Sequence, residues 1–234
     1  MDTYDIIKYI LDNYSEYIDT LQIQKLRLLL ESSSDSYVHG YTTREMDKVF
    51  EEIVQLIVDD LGCDVVNKIE ILERGYVLYE NVKFKDHVVI DKNEIAANEF
   101  LGASFLNGIT VKNHYLPSGA LMNCRMFGIV DLTQVEILGD DNLNFIPNAK
   151  GCKVLLSNNL TTLKGTSVFK FPSNIEVEYK GTMLQLTKLV KNYYKLLNTP
   201  QRKYFKSRTG YGKIKCDDGV WTLDVYSKLA RKLK

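Results

Sequence analysis

The sequence is poor in the residues that carry most catalytic and metal chemistry. It contains three histidines, one tryptophan and four cysteines in 234 residues. The cysteines, Cys63, Cys124, Cys152 and Cys216, lie far apart, form no CxxC pair and have no histidine at metal-ligand spacing. We therefore expect no metal and no cofactor, and we interpret the cysteines as buried thiols of a reducing compartment.

Long apolar runs are also absent. No stretch approaches the roughly 20 apolar residues that a membrane-spanning helix needs. The first residues, in which Asp2 and Asp5 follow Met1, lack the basic and apolar segments of a secretory signal. With four prolines, 45% hydrophobic and 26% charged residues, the composition is that of one or two folded domains. The sequence predicts a cytoplasmic protein without a membrane partner, with host cytoplasm or a virion left open as its location.

The N-terminal part of the chain has few basic residues and the C-terminal part has few acidic ones, although the two signs balance over the whole sequence. The 30 basic and 30 acidic residues give a formal net charge of zero. Residues 1–100 hold 21 acidic and 10 basic residues, whereas residues 188–234 hold 3 acidic and 13 basic ones. Electrostatic attraction does not depend on the kind of anion. Nucleic acid, an acidic protein surface and the chain's own acidic N-terminal region are therefore all open as partners of the basic end.

Apolar residues in the first 62 positions recur with the period of an α-helix. Residues 7–21 show this spacing, and residues 21–30 form a second, largely apolar segment. Thr42 and Glu45 form a capping box ahead of an apolar stripe over residues 46–61, and Gly62 supplies a stop. These segments predict an acidic helical bundle at residues 1–70. The second segment contains Leu21, Gln24, Lys25 and Leu26, and on this motif residues 3–32 resemble the Panacea antitoxin-associated domain.

From residue 75 onward the apolar period changes toward two. Short strand candidates lie at 76–79, 87–90, 108–111, 127–132, 152–156 and 175–179. They recur roughly every 20 to 25 residues, as expected when each unit buries its apolar face by stacking on the next. The pattern predicts a repeat architecture for this part of the chain.

The repeats resemble a known family. An apolar residue followed by proline precedes the later strands, at Pro117, Pro147 and Pro172, and Cys124 and Cys152 follow at short intervals. YKGT at 179–182 and IKCDDG at 214–219 are similar to the elements that close such arrays. Residues 85–222 thus resemble the BspA-type leucine-rich repeat family. The predicted fold class is α+β: the helical bundle, then residues 71–234 as a leucine-rich-repeat-like β solenoid with a helical insertion and a C-terminal helix.

About 30 residues separate the two closing elements, where the family has a short connection. This basic insertion, residues 188–213, interleaves cations with aromatic rings, which suits protein interfaces as well as nucleic acids. Its helical spacing also leaves open that it is a solvated helix. We predict partner binding by Tyr194, Arg202, Lys203, Tyr204, Lys206, Arg208 and Tyr211.

No convincing catalytic set is found. His114 and Cys124 could be drawn as a nucleophile pair, but Cys124 occupies a position where the repeat family has a core cysteine. The sequence TGYGK at 209–213 lacks the spacing of a phosphate-binding loop and indicates a turn. We therefore expect that the chain is not an enzyme.

The resemblance implies protein recognition. We expect a non-catalytic protein-interaction module, an adaptor or inhibitor from a phage or mobile element that acts on a host or defence protein. Two alternatives are open: a structural component of a virion or other assembly, formed by self-association, and nucleic-acid binding through the basic C-terminal region.

Overall fold

The computed structural model describes residues 8, 11–12, 15, 24, 51–52, 54–59, 62–68, 79–145, 152–165, 175–196, 213–224 and 229–232. The chain divides into two compact units, residues 1–65 and 66–234. The domain division predicted at residue 70 stays a prediction. In the first unit, residues 54–59 are helical, and Gly62 ends this segment at φ 73° with its N–H bonded to Val58 O at 3.0 Å.

The predicted α+β class with an N-terminal helical bundle is wrong. The described residues are mostly β, and the helices whose bounds they give are α1, Val65–Lys68, and α2, Met183–Leu196. A helical period shows that a helix would have an apolar face, but a bundle also requires such faces to pack on one another. The period does not encode that packing. The solenoid part of the prediction fits in part.

The described residues of the second unit form short strands in three sheets. The strands are β1 Lys83–Phe84, β2 Val88–Ile90, β3 Ser104–Phe105, β4 Ile109–Val111, β5 Tyr115–Leu116, β6 Arg125–Met126, β7 Ile129–Asp131, β8 Ile137–Leu138, β9 Lys153–Ser157, β10 Thr162–Leu163, β11 Glu176–Lys180, β12 Lys213–Cys216, β13 Gly219–Asp224 and β14 Leu229–Lys232. The main sheet has the order β14-β13-β12-β11-β9-β7-β4-β2, and the two smaller sheets are β1-β3-β6 and β10-β8-β5.

Successive coils of the solenoid stack in parallel register. Lys83 pairs with Ser104 and Ser104 with Arg125, so the early coils have a constant length. The next step is longer, because Ile129 pairs with Lys153. The longest step runs from Glu178 to Lys215, where the additional chain includes α2. The coil period is therefore regular in the first three coils and irregular afterwards.

Aromatic side chains form the core of the first coils. Phe84 lies under Phe105 with ring centroids 4.9 Å apart, and Tyr79 lies under Phe100 at 5.0 Å. All four side chains are fully buried. Residues one coil apart thus stack on each other, which explains why the period is kept so strictly here.

The corners of these coils need left-handed backbone, and Asn or Gly supplies it. Asn81, Gly102 and Asn123 lie one coil apart and have φ values of 58°, 72° and 57°. Gly119, with φ 73°, lies over Asn98, with φ 61°. Recurrence of Asn and Gly at these positions follows from the conformation they tolerate.

A cap stands between β11 and β12. Thr182 immediately precedes α2 and exchanges hydrogen bonds with Gln185. The Asp218 carboxylate accepts from Met183 N at 3.0 Å and from Trp221 Nε1 at 3.2 Å. The closing elements therefore meet at the start of α2.

The predicted C-terminal helix is wrong for the described residues, which form β13 and β14. Cys216 pairs with Gly219 across the turn formed by Asp217 and Asp218, and Gly219 has φ 133°. This hairpin folds β13 back on β12. Strand pairing thus prevails over the helix propensity of the Lys- and Leu-rich sequence.

Candidate functional site: the outward face of the main sheet

Alternate residues of the main sheet point away from the core. Val88, Ile109, Val130, Val154 and Val177 are fully buried. The residues next to them within the strands are half-buried or exposed. We define the outward face as these residues together with the exposed lysines of β11 and β12. It consists of Val89, Thr110, Ile129, Asp131, Lys153, Leu155, Glu176, Glu178, Lys180, Lys213 and Lys215.

Six residues of this face lie in one continuous row across six parallel strands: Val89, Thr110, Asp131, Leu155, Glu178 and Lys215. Neighbouring strands are about 4.8 Å apart, so the row is about 24 Å long. Because every strand is held by its neighbours, the side chains start from fixed backbone positions. Such an extended, ordered surface is suited to recognition of a large partner.

Ion pairs link the C-terminal half of the face. Lys153 Nζ lies 2.6 Å from Glu178 Oε2 and 3.7 Å from Glu176 Oε1, and Lys215 Nζ lies 3.4 Å from Glu178 Oε2. The hydrogen bond from Lys153 lowers the pKa of Glu178, and the same bond raises the pKa of Lys153. Acidic and basic groups therefore compensate each other on this surface.

The middle of the face is more apolar and more constrained. The Ile129 side chain is 48% exposed, and Leu155 lies half-buried on the next strand. Asp131 Oδ1 accepts hydrogen bonds from Thr133 N at 2.9 Å and Thr133 Oγ1 at 2.7 Å, which hold its carboxylate in place. An exposed isoleucine beside Lys153 can contact an apolar group of a partner.

His87, which directly precedes β2, is held by two hydrogen bonds to the neighbouring coil. Its Nδ1 lies 3.0 Å from Asn107 O and its Nε2 lies 2.9 Å from Thr110 Oγ1. The carbonyl oxygen can only accept, so Nδ1 donates in the first of these bonds. These bonds orient His87, whose side chain is exposed to water.

The structure does not bring His114 and Cys124 together as a nucleophile pair. His114 is exposed and its Nδ1 lies 3.0 Å from Glu136 Oε1, whereas Cys124 is buried and its Sγ donates to Phe100 O at 2.9 Å. Burial raises the pKa of the Cys124 thiol above its ordinary value. It also raises the pKa of Cys152 to about 12 and that of Cys216 to about 11. All three thiols are protonated at neutral pH and are poor nucleophiles.

One buried ion pair lies away from the outward face. Lys92 Nζ is 2.7 Å from Glu99 Oε1, with the two side chains 2% and 0% exposed. Ala96 N donates to the second carboxylate oxygen at 2.8 Å. Burial raises the pKa of Glu99 although Lys92 opposes the rise. The pair closes the turn that precedes the second coil, so its role is structural.

The predicted partner-binding residues stay untested. Tyr194 lies in α2, while Arg202, Lys203, Tyr204, Lys206, Arg208 and Tyr211 lie outside the described residues. Within the described ranges, no group of three or more His, Cys, Asp or Glu side chains could hold a metal ion. Those same ranges contain no helix long and apolar enough to cross a membrane.

Sequence reasoning missed the outward face. The alternation at residues 152–156 and 175–179 predicts strands, but their alignment depends on steps of unequal length, from Ile129 to Lys153, from Lys153 to Glu176 and from Glu178 to Lys215. Such unequal steps cannot be read from one sequence. Comparison with protein families, with curated proteins and with solved structures gave no match to this chain.

Proposed function

We propose that the chain is a non-catalytic protein-interaction module that binds a partner protein on the outward face of the main sheet. The observation that carries the proposal is the in-register row from Val89 to Lys215, with the exposed Ile129 beside it. It combines an apolar contact with a fixed arrangement of charges. Binding there would act by steric blocking or by scaffolding, as in an adaptor or inhibitor.

A protein fits this face better than a nucleic acid does. Asp131, Glu176 and Glu178 lie among Lys153, Lys180, Lys213 and Lys215. A phosphate backbone is attracted by cations and repelled by carboxylates, and two of these lysines already bind Glu178. A protein surface can supply both signs of charge and an apolar side chain. The predicted basic residues of the insertion would add a second contact in this proposal.

The test is capture of partners from the native cell with the tagged chain and one surface variant. Ile129→Asp places a charge where we expect an apolar contact. Leu184→Asp is the matched control, because Leu184 is also an exposed aliphatic residue, 77% accessible, but it lies on α2. We expect a discrete protein to be captured by the unchanged chain and by Leu184→Asp, and to be lost with Ile129→Asp.

Nuclease treatment of the lysate separates the alternatives. A protein retained equally by both variants would contradict the assignment of the face. Recovery of nucleic acid alone, removed by nuclease, would replace the proposal with nucleic-acid binding through the basic C-terminal region. Recovery of only further copies of the chain would favour a structural component of an assembly.

A further inference from the structure

The main sheet ends, among the described strands, in two edges that run in the same direction. β14 is antiparallel to β13, and β13 is antiparallel to β12. β12 is parallel to each preceding strand of the sheet as far as β2. β14 and β2 therefore point the same way. Two copies related by translation along the sheet would bring β14 of one beside β2 of the next as a parallel pair.

Among the described residues, the side chain of Asn67 covers part of the β2 edge. Asn67 Nδ2 donates to Val89 O at 2.7 Å, and Asn67 Oδ1 accepts from Asp91 N at 2.7 Å. In a parallel sheet, a residue of one strand has a partner on the next strand. Its N–H donates to the C=O of the residue before that partner, and its C=O accepts from the N–H of the residue after that partner. Asn67 makes this same pair of bonds around Ile90. Its side-chain amide thus takes the place of a backbone amide in an incoming parallel strand.

The charges at the two edges are complementary. β14 contains Arg231 and Lys232, whereas exposed Asp86 and Asp91 flank β2, the latter 3.0 Å from Lys112. The same polarity extends along the chain, with 13 basic and 3 acidic residues over 188–234 and 21 acidic and 10 basic residues over 1–100. Opposite charges favour contact between unlike edges and disfavour contact between like ones.

We propose that the β2 edge is a strand-addition site for β14 of a second copy, and that Asn67 keeps this site closed. An incoming strand must first break both hydrogen bonds of Asn67. Removing the amide opens the edge, and copies then join head to tail in open-ended assemblies. The proposal concerns the sheet edges and not the outward face, so it is independent of the proposed function.

The first test measures the mass of the full chain by light scattering as its concentration rises. Asn67→Ala removes the closing amide. Asn107→Ala is the matched control, because Asn107 Nδ2 also donates across coils, to Lys85 O at 2.6 Å, without touching the β2 edge. We expect constant mass for the unchanged chain and the control, and rising mass for Asn67→Ala. Adding Arg231→Glu and Lys232→Glu to Asn67→Ala should lower that mass again.

Three results would overturn the proposal: constant mass for Asn67→Ala, an equal rise in the unchanged chain, or a rise that the changes in β14 leave intact. A thermal melt shows whether Asn67→Ala still unfolds cooperatively. Should it not fold, Asn67→Asp serves instead. This near-isosteric variant keeps an acceptor for Asp91 N and turns an oxygen toward Val89 O, so it also opens the edge.

The second test identifies β14 as the added strand. The probe is a fluorescent peptide of residues 225–234, VYSKLARKLK. We expect it to bind Asn67→Ala about tenfold more tightly than the unchanged chain, because two hydrogen bonds need not be broken first. The Ala230→Pro peptide, which lacks one backbone N–H, should lose this preference. Equal affinity for both chains, or an unchanged preference of the proline peptide, would refute the assignment.

Discussion

The first three coils and the later coils of the solenoid are held together in different ways. Phe84 and Phe105 stack one coil apart, and left-handed corners recur at the same step. In the later coils, the steps vary, and surface ion pairs and the contacts around Asp218 contribute to the structure. The coils of constant length are therefore held by equivalent residues that stack on one another. The coils of variable length are held in addition by individual polar contacts.

The largest effect should come from the aromatic stack of the early coils. Phe105→Ala removes a fully buried ring that contacts Phe84 and Phe100. We expect it to lower the free energy of unfolding by about 3–5 kcal/mol, measured by urea denaturation. Leu106→Ala, at the next residue and 42% exposed, is the control and should cost far less. Similar losses for both would show that the stack is not what stabilises these coils.

The second-largest effect on stability should come from the buried ion pair between Lys92 and Glu99. Lys92→Met leaves the Glu99 carboxylate in a site where it is 0% exposed, and we expect a loss of about 3 kcal/mol in unfolding free energy. Lys92→Met with Glu99→Leu should recover most of this loss, since no charge then remains buried. Chemical denaturation of both variants is the measurement. A double variant no more stable than the single one would contradict this explanation.

Corner conformation can be separated from corner packing with two glycines. Gly119 and Gly62 both have φ 73°, but a Cβ on Gly119 would lie 2.0 Å from Asn98 Oδ1, while one on Gly62 would meet nothing within 4 Å. Gly62→Ala should therefore cost about 1 kcal/mol from backbone strain alone. Gly119→Ala should cost more than Gly62→Ala, because the Asn98 side chain must also move to make room for the Cβ. Equal shifts in the melting temperature would mean that the close approach between coils contributes nothing.

The cap near β12 is tested with two adjacent aspartates. Asp218→Ala removes the acceptor for Met183 N and Trp221 Nε1, and we expect a loss of about 1–2 kcal/mol in thermal unfolding. Asp217→Ala is the matched control, because Asp217 is exposed and bonds to Gly181 O through its backbone N–H. An equal loss in the control would show that the carboxylate of Asp218 does not hold the cap.

The smallest effect should be a pH dependence in the later coils. The pKa of Glu178 is lowered by its hydrogen bond with Lys153, so its contribution to stability is present above the ordinary glutamate range, near 4.5. That contribution is lost as the pH falls through the lowered pKa. Glu178→Gln should make the unfolding midpoint less dependent on pH below about 4.5. The same slope with and without Glu178 would contradict the assignment.

The parts of the fold that repeat locally could be predicted, and those that depend on distant register could not. The strands near residues 87–90, 108–111 and 175–179 were recognised from short apolar alternation. The sequence analysis did not predict the C-terminal hairpin. The hairpin depends on the turn before Gly219 and on pairing of β13 with β12, and the helix propensity of single residues contains neither. For the site, the aromatic and basic composition drew attention to the insertion. The alternating charges of Lys153, Glu176 and Glu178 gave no comparable signal until the strands were aligned.

Because the corners of the early coils stack on one another, the solenoid can be shortened or lengthened there by one whole coil at a time. Residues 100–120 begin with a buried aromatic over Tyr79 and include three left-handed positions, Gly102, Gly108 and Gly119. Excising this one period places Asn123 over Asn81 and Leu121 over Tyr79, in the register that Gly102 and Phe100 hold now. Loss or gain of one whole period therefore keeps Asn or Gly at these corner positions, whereas a change of another length must be absorbed in a loop, as it is in the longer steps of the later coils. Insertions and deletions in these coils are in effect counted in units of one turn.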